Sequence, residues 1–597
     1  MPFTPAPCPL PTRWTETVRP ESVHPEHPRP QLTRATPWMS LNGLYECAIR
    51  PREEGRPAQF DRRILVPFPV ESSLSGIRTS ITAAERIWYR RRFSAPAAPD
   101  GHTWLLHFGA VDWRAEVWLD GRELGSHEGG YDPFTFDAGS LGGEHELIIA
   151  VWDPTEDGPQ PRGKQMRQPP FLMRPFFYTP ASGIWQTVWL EQAPEQRIER
   201  LQCRSHGSRL SVTAVAPGLD AEVIVVARLG DREVSRTAGN ANRTLTLDIP
   251  EPRLWSPDDP FLYDLEVTLV RDGDQRDQVR SYFGLRDVDV RRDRFGTLRL
   301  HLNGQPIFLH GLLDQGYWPD GIYTAPCDEA LRFDIEETRR LGFNCIRKHV
   351  KIEPARWYWH CDRLGLLVLQ DMPNGDRFAL GVPIGGVSLF DPTRWLGQSG
   401  IRRTPESARI FGRELDAMIA TLGNSPSVIA WVVFNEGWGQ FDTVRWAEHV
   451  AATDPTRLVD AASGWIDSAG AGHVRDVHVY HPGPRMPAKR DPQRAEILGE
   501  WGGLGLEING HRWPKRAFAY KKLADVDELT SHYEQRLQQL LTLAQRGFAA
   551  AVYTQTTDVE GEINGVLTYD RERIKLDEPR LIAANRHLLE SLARDHR

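Results

Sequence analysis

Cysteine is scarce in this sequence, and the spacing of its few cysteines offers no site. The 597 residues include six cysteines, and no two of them form a C-x-x-C pair. A disulfide framework needs a dense set of cysteines in a small secreted domain, and a zinc site needs closely spaced ligands. The sequence therefore argues against both, and we expect buried, reduced thiols.

Long apolar runs and long runs of one charge are also missing. No stretch approaches the ~18 apolar residues of a membrane span, and the first residues, MPFTPAPCPLPTRW, lack the basic and then apolar pattern of a secretory signal. The formal net charge of −8 is spread along the chain, which argues against nucleic acid or an anionic membrane as a partner. We therefore expect a cytoplasmic protein that contacts neither.

The first half of the chain consists of short β-runs separated by turns. A chain of 597 residues is too long for one hydrophobic core, since cores stop growing at about 250–300 residues. Runs such as TWLLHFGAV and HELIIAVWD, between Trp38 and Glu191, are typical of a β-sandwich. A second group, from Arg197 to Leu285, fits one immunoglobulin-like sandwich of about ninety residues. We predict three domains, at residues 1–195, 196–288 and 289–597.

The last domain alternates strands with amphipathic helices, as a (β/α)₈ TIM barrel requires. The helical patterns include DEALRFDIEETRRLG and DELTSHYEQRLQQLLTLAQRG. The eight strand candidates are PIFLH (306–310), FNCIRKH (343–349), LLVLQD (366–371), SVIAWVVFN (427–435), RLVDAA (457–462), DVHVYH (476–481), AEILGE (495–500) and AAAVYTQ (549–555).

Barrel enzymes place their chemistry at the carboxyl ends of the strands. The candidate strand ends carry a set of polar side chains: His310, Arg347, His349, Asp371, Asn435, Glu436, Tyr480, His481, Glu500 and Gln555. Two long stretches without a clear pattern, 374–404 and 502–522, follow strand ends. Loops of this length are usually functional, so we expect them to wall a pocket, with contacts to a second subunit of a homo-oligomer as the alternative.

Two glutamates have the position that glycoside cleavage needs. That reaction uses one carboxylic acid to protonate the leaving oxygen and one carboxylate to attack the anomeric carbon. Glu436 in WVVFNEGWGQ and Glu500 in ILGEWGG each follow an apolar strand, and each has a tryptophan nearby, Trp438 and Trp501. A lone glutamate usually caps a loop, but two such placements favour a catalytic pair. The abundance of tryptophan, 20 residues, is weaker support, because indole rings stack on sugars but also fill cores.

The chain resembles the family 2 glycoside hydrolases, which include β-galactosidases and β-glucuronidases. The motifs that carry the resemblance occur in the family's order: LHFGAVDWRAEVWLDGRELGSHEGGYDPFTFD and SGIWQTVWLE, then LWSPDDPFLYDLEVTL, then LHLNGQPIFLHG, LGFNCIRKHV, NSPSVIAWVVFNEGWG and ILGEWGG. The resemblance implies that the first domain is a sugar-binding-like jelly roll. It also implies that Glu436 is the acid/base and Glu500 the nucleophile of a retaining exo-β-glycosidase. We expect no cofactor.

The same resemblance implies supporting roles. Asn435 is expected to bind the sugar 2-hydroxyl, Arg347 to keep the nucleophile ionised, and Tyr480 to donate a hydrogen bond to Glu500. Each has a structural alternative: a turn cap for Asn435, an ion pair for Arg347, and a core position for Tyr480. The remaining candidates for binding substrate are His310, His349, Asp371, His481, Trp501 and Gln555.

Histidines at strand ends also raise the alternative of a metal-dependent hydrolase. Such barrels typically show closely spaced ligands on the first strand, where this sequence offers only His310. We therefore predict no metal site, and we interpret His478 as an interior histidine with its hydrogen bonds satisfied.

Several choices of substrate remain open from the sequence. The Asn-x-Lys pair that marks many β-glucuronidases is not found in the barrel, so a uronic acid loses support and a β-galactoside is the first expectation. A β-glucuronidase or another family 2 exo-glycosidase is the alternative. A carbohydrate-binding protein with a degenerate barrel is the alternative outside enzymes, and the intact Glu436 and Glu500 argue against it.

Overall fold

The computed structural model describes residues 3–169, 171–375, 403–480, 482–487 and 490–595. Among these residues, no helix has both the length and the apolar character needed to cross a membrane. The predicted fold class is confirmed: antiparallel sandwiches occupy the first half, and a closed barrel of eight parallel strands follows.

The first sandwich is a jelly roll built from a four-stranded and a six-stranded antiparallel sheet, with a small two-stranded sheet beside them. Its strands alternate between buried and partly exposed residues, as in Arg114–Leu119, because successive side chains point to opposite faces. The strands are β1 Trp38–Ser40, β2 Gly43–Pro51, β3 Arg62–Val66, β4 Glu85–Ala95, β5 His102–Phe108, β6 Val111–Asp112, β7 Arg114–Leu119, β8 Arg122–Glu128, β9 Phe134–Gly139, β10 Gly143–Trp152, β11 Gly183–Ile184 and β12 Val188–Pro194.

The second sandwich is immunoglobulin-like, with one sheet of three strands and one of four. Apolar residues of both sheets form its core, among them Val212, Val225 and Val267. The strands are β13 Arg200–His206, β14 Arg209–Val215, β15 Glu222–Leu229, β16 Arg232–Asn240, β17 Thr244–Asp248, β18 Tyr263–Arg271 and β19 Asp274–Phe283.

The barrel is closed in the order of the chain, each strand pairing in parallel with the next. A three-stranded antiparallel sheet (β20 Val288–Arg292, β21 Leu298–Leu302, β22 Gln305–Ile307) packs its Leu300 and Leu302 against the amino ends of the barrel strands. The barrel strands are β23 Leu309–Asp314, β24 Cys345–Lys348, β25 Leu367–Asp371, β26 Val428–Val432, β27 Leu458–Asp460, β28 Val474–Val479, β29 Ala495–Gly502 and β32 Phe548–Thr554, and the short pair β30 Leu504–Gly505 and β31 Lys521–Lys522 lies between the last two.

Amphipathic helices cover the barrel, and their starts follow ordinary capping rules. Thr404 accepts a hydrogen bond from the backbone N–H of Ser407, and Asp525 accepts one from Glu528, which satisfies N–H groups that a first turn leaves free. The described helices are α1 Asp328–Arg340, α2 Ala355–Leu364, α3 Pro405–Leu422, α4 Thr443–Thr453, α5 Val526–Arg546 and α6 Glu578–Asp595.

The predicted first barrel strand is wrong in its bounds, and His310 is misplaced as a result. The apolar run PIFLHG spans two elements: Ile307 ends β22, which pairs antiparallel with β21, and the barrel strand begins only at Leu309. His310 therefore lies at the start of β23, and the carboxyl end of that strand is Asp314. The buried His310 ring bonds Asn585 of α6, with Nε2 2.9 Å from Oδ1.

Candidate active site

The carboxyl ends of strands β24 to β29 bring the two predicted catalytic glutamates together. Glu436 lies just beyond β26, where its backbone N–H donates to the carbonyl of Ser463 at 2.8 Å. Its φ of 52° lies in the left-handed region, which non-glycine residues seldom adopt and which is frequent at functional sites. Glu500 lies within β29.

The two carboxylates face each other at short range. One oxygen of Glu436, one oxygen of Glu500 and one ring nitrogen of His478 all lie within 4.8 Å of one another. Both glutamates are buried, with 8% of Glu436 and 5% of Glu500 exposed. Like charges at this distance in a buried site disfavour double ionisation, so one carboxyl holds its proton more tightly.

The surroundings move the pKa values of the two glutamates in opposite directions. Burial and the charge of Glu500 raise the pKa of Glu436 above its ordinary value. Burial also opposes ionisation of Glu500, but the cations His478 and Arg347 outweigh burial and lower its pKa to about 2. The shifts favour a protonated Glu436 beside an ionised Glu500, which is the separation that a carboxylate pair with two roles requires.

His478 connects the two glutamates to a polar chain inside the barrel. Its Nδ1 lies 2.8 Å from Oε1 of Glu436 and 3.6 Å from Oε1 of Glu500. Its Nε2 lies 2.7 Å from Oγ of Ser463, which in turn donates to Asp476. Burial opposes the charged imidazole, but the two glutamates outweigh burial and raise the pKa of His478. Both ring nitrogens therefore act as donors.

Arg347 holds the Glu500 side of the site. Its guanidinium binds Asp371 with two contacts of 2.9 Å, and it donates to Oδ1 of Asn435 at 2.8 Å and to Oε1 of Glu500 at 3.3 Å. Such a planar fork orients several acceptors at once. Arg347 therefore binds both Asn435, which follows β26, and Glu500, which lies in β29.

Tyr480 and Asn435 present hydrogen-bond donors beside the pair. The hydroxyl of Tyr480 donates to Oε2 of Glu500, and burial raises the pKa of Tyr480 well above its ordinary value, so the donor proton is kept. The Tyr480 ring stacks on Tyr520, with centroids 3.7 Å apart. Among the described residues, Nδ2 of Asn435 has no hydrogen-bond partner.

His349 and Asp371 lie behind Arg347. Nδ1 of His349 is 2.9 Å from Oδ2 of Asp371. Burial and the nearby charge of Lys164 lower the pKa of His349 well below its ordinary value, so the ring is neutral. The predicted residues Arg347, His349, Asp371, Asn435, Tyr480 and the two glutamates thus occupy one connected site.

Two family models match consecutive parts of the chain. Residues 199–286 match the model described as Glycosyl hydrolases family 2, and residues 296–482 match Glycosyl hydrolases family 2, TIM barrel domain. The chain belongs to glycosyl hydrolase family 2. The predicted family is therefore confirmed.

Curated relatives of this family 2 chain are named either beta-galactosidase or beta-glucuronidase. It is 26% identical over 308 residues to a beta-galactosidase of Thermoanaerobacter pseudethanolicus, a match that covers 48% of this chain and 39% of that protein. It is 27% identical over 538 residues to beta-galactosidase 2 of Enterobacter cloacae, covering 80% of this chain and 48% of that protein. The chain thus spans less than half the length of these two relatives. A beta-glucuronidase of Paenibacillus borealis is 24% identical, with 68% of this chain and 69% of that protein covered.

Solved structures share the fold over nearly the full length. The β-D-glucuronidase of Dictyoglomus thermophilum superimposes with a TM-score of 0.71 at 19% identity, covering 94% of this chain and 98% of that one. A β-galacturonidase of Eisenbergiella tayi gives a TM-score of 0.68 at 18% identity, covering 95% and 98%. At this identity the likeness shows only that the family 2 chain shares the fold of these structures.

Three other predicted site residues have different surroundings. Trp501 packs outside the barrel wall, against Tyr533 of α5 and Tyr553 of β32, with ring centroids 6.0 and 5.1 Å apart. The amide of Gln555 donates to Oδ1 of Asn564 at 2.7 Å, a contact between neighbouring loops.

His481 lies outside the described residues, as does most of the loop predicted at 374–404.

The main residue that the sequence interpretation missed is His478. It is an interior histidine, as expected, but its partners are the two glutamates and Ser463. A signal was present: side chains alternate along a strand, so Asp476, His478 and Tyr480 share one face of β28. Assigning Tyr480 to the pocket therefore implied the same for His478.

The glutamates and His478 are also the one group of three among the described residues whose atoms are close enough to hold a metal ion. The raised pKa of His478 makes its ring a cation, and a protonated imidazole has no lone pair for a metal. Nδ1 of His478 is also already hydrogen-bonded to Oε1 of Glu436. The donor set therefore fits acid–base chemistry better than metal binding.

Proposed function

We propose that this protein is a retaining exo-β-glycosidase that releases a terminal β-linked sugar by double displacement. The observation that carries the proposal is the pair Glu436 and Glu500, with oxygens within 4.8 Å and pKa values moved apart. In retaining enzymes the carboxyl groups are about 5–5.5 Å apart, because the nucleophile must reach the anomeric carbon, whereas inverting enzymes leave room for water.

The two glutamates divide the reaction into two steps. Glu500 attacks the anomeric carbon while the bond to the leaving oxygen breaks and Glu436 gives its proton to that oxygen. The hydrogen bond from His478 occupies Oε1 of Glu436, which leaves Oε2 to carry the proton. In the second step Glu436, now ionised, takes a proton from water, and the water oxygen displaces Glu500.

The neighbouring residues keep these roles separate. Arg347 and Tyr480 both bond Glu500, which favours its ionised form and fixes its attack direction. Asn435 is held by Arg347, and its Nδ2 has no partner among the described residues. This donor suits the sugar 2-hydroxyl, a contact that strengthens in the transition state.

A pocket for a terminal sugar is supported by contacts from outside the barrel. The ring of Phe177, in the first sandwich domain, stacks on Trp438 with centroids 5.3 Å apart. The first domain therefore forms part of the pocket entrance beside Glu436. The domain bounds 1–195, 196–288 and 289–597 belong to the same proposal. Some relatives are named beta-galactosidase and others beta-glucuronidase, so family membership does not identify the sugar that this chain accepts.

A panel of 4-nitrophenyl β-glycosides tests this function. We expect hydrolysis of at least one member, with the first-formed sugar in the β configuration by NMR. Glu500→Ala is expected to remove activity, while Glu507→Ala, a glutamate bonded to surface cations, serves as the matched control. An inverted product would contradict the retaining mechanism. Sugar binding without any hydrolysis would favour the binding-protein alternative.

A further inference from the structure

One cation at the mouth of the site belongs to the first sandwich domain rather than to the barrel. Lys164 is buried, with 7% of its surface exposed. Its ammonium lies 5.8 Å from the ring centroid of Trp438 and 5.7 Å from that of Tyr178, within the range of a cation–π contact. Trp438 is two positions after Glu436, so Lys164 approaches the site on the side of the acid/base.

The backbone around Lys164 is fixed against the barrel. The N–H groups of Arg162 and Gly163 both donate to the carbonyl of Asn374, at 2.7 and 2.8 Å. The side chain of Asn374 in turn donates to the carbonyl of Asn435 at 3.2 Å. A single residue therefore links the Lys164 segment to the residue before Glu436.

Gly163 shows how close this approach is. Its φ is +60°, and a Cβ at this position would lie 2.5 Å from the carbonyl oxygen of Val350. Only glycine fits such a conformation and distance without strain. On the other side, the carbonyl of Lys164 accepts a hydrogen bond from the N–H of Tyr178 at 2.9 Å. Lys164 is thus presented to the site by a rigid segment.

The charge of Lys164 affects the pKa values of the proposed catalytic groups, but none of these groups forms a salt bridge with it in the described part of the chain. Burial and several charges set the pKa values of Glu436, Glu500 and His349, and the Lys164 ammonium lowers all three. Arg347 and His478 each have a carboxylate within 4 Å. In the described part of the chain, Lys164 forms no salt bridge or hydrogen bond through its ammonium.

Among the described residues, the partners of the Lys164 ammonium are the rings of Trp438 and Tyr178, and a buried cation in such surroundings is costly unless an anion joins it. We propose that Lys164 completes the sugar subsite from the first domain and binds a carboxylate on the sugar, so that the substrates are β-linked uronic acids. This inference rests on the proposed glycosidase function. It replaces the neutral galactoside expected from the sequence. The barrel lacks the Asn-x-Lys pair, and a lysine from another domain takes its place.

Paired substrates that differ only at C6 test the proposal. We expect kcat/KM to be at least about 100-fold higher for 4-nitrophenyl β-D-glucuronide than for the β-D-glucoside, or for the β-D-galacturonide than for the β-D-galactoside. Lys164→Met is expected to lower this ratio about 100-fold, whereas Lys515→Met, which removes an exposed lysine paired with Glu560, leaves it unchanged.

Preference for the neutral sugar in both pairs, or an equal loss for both members in Lys164→Met, would overturn the proposal. The wild-type ratio is informative even if that variant does not fold, and Lys164→Arg, which keeps the charge, is expected to keep part of the preference.

Binding separates this proposal from the proposed function. In Glu500→Gln, calorimetry with D-glucuronate and D-galacturonate, against D-glucose and D-galactose, needs no turnover. Uronate binding that is lost in the double variant with Lys164→Met, in a protein that cleaves no glycoside, would support the Lys164 site and contradict the glycosidase. Glycoside cleavage without preferential binding of either uronate would contradict the Lys164 site alone. Neither cleavage nor binding would contradict both.

Discussion

Nδ1 of His478 lies 2.8 Å from Oε1 of Glu436, which places a cation in direct contact with the proposed acid/base. The same nitrogen is 3.6 Å from Oε1 of Glu500. One imidazolium therefore acts on both carboxyl groups, and the protonation of the pair depends on its charge.

The pH dependence of kcat/KM is expected to reflect the two glutamates. Glu500 must be ionised, and its pKa is lowered to about 2, so activity is lost only as the pH falls toward that value. Glu436 must be protonated, and its pKa is raised, so activity falls as the pH rises through that value. A profile measured with one substrate over a wide pH range checks this. An alkaline decrease near the ordinary pKa of a glutamate would contradict the assignment of Glu436.

Replacing His478 is expected to move both limbs of this profile upward. The His478 charge lowers the pKa of Glu436 and of Glu500, so its loss in His478→Asn raises both pKa values. Asn preserves a hydrogen-bond donor but not the charge. A purely structural role would reduce kcat without shifting the limbs, and that result would contradict our account of His478.

Asn435→Ala is expected to reduce kcat/KM about 100-fold or more, in the range for losing one donor to the transition state. The motivating observation is that Nδ2 of Asn435 lacks a partner among the described residues. A 2-deoxyglycoside lacks the acceptor, so the same variant is expected to lose little activity on it. An equal loss on both substrates would mean that Asn435 acts by holding Arg347, to which it is bonded.

Chelators are expected to leave activity unchanged. The only cluster of potential ligands among the described residues consists of Glu436, Glu500 and His478, and His478 is already hydrogen-bonded to Glu436. The check is turnover after dialysis against EDTA, with and without added divalent cations. Activity that disappears and returns with one cation would favour the metal-dependent alternative.

The sequence predicted the barrel and indicated the proposed catalytic pair because both leave local signals. Apolar strands alternate with amphipathic helices, and Glu436 and Glu500 each follow or end an apolar run. The sequence also contained the alternation that sends Trp501 to the opposite face from Glu500, so its placement against Tyr533 was predictable. His310 was misplaced because one apolar run covers both β22 and β23.

Other features could not be read from local patterns. Lys164 reaches the site from a segment without regular structure, more than 250 residues before Glu436 in the chain, and no periodicity relates the two. Its position depends on contacts between domains, such as the bond from Gly163 to Asn374. The pKa separation likewise depends on distances across the barrel rather than on spacing in the sequence.

The most direct test of the account is the configuration of the products when azide rescues the two glutamate variants. In Glu436→Ala, activated aryl glycosides still form the intermediate on Glu500, and azide is expected to displace that carboxylate and give a β-glycosyl azide. In Glu500→Ala, azide takes the place of the nucleophile, and an α-glycosyl azide is expected. NMR of the two products distinguishes these outcomes. Reversed configurations would exchange the roles of Glu436 and Glu500, and full activity of both variants without azide would place the chemistry elsewhere.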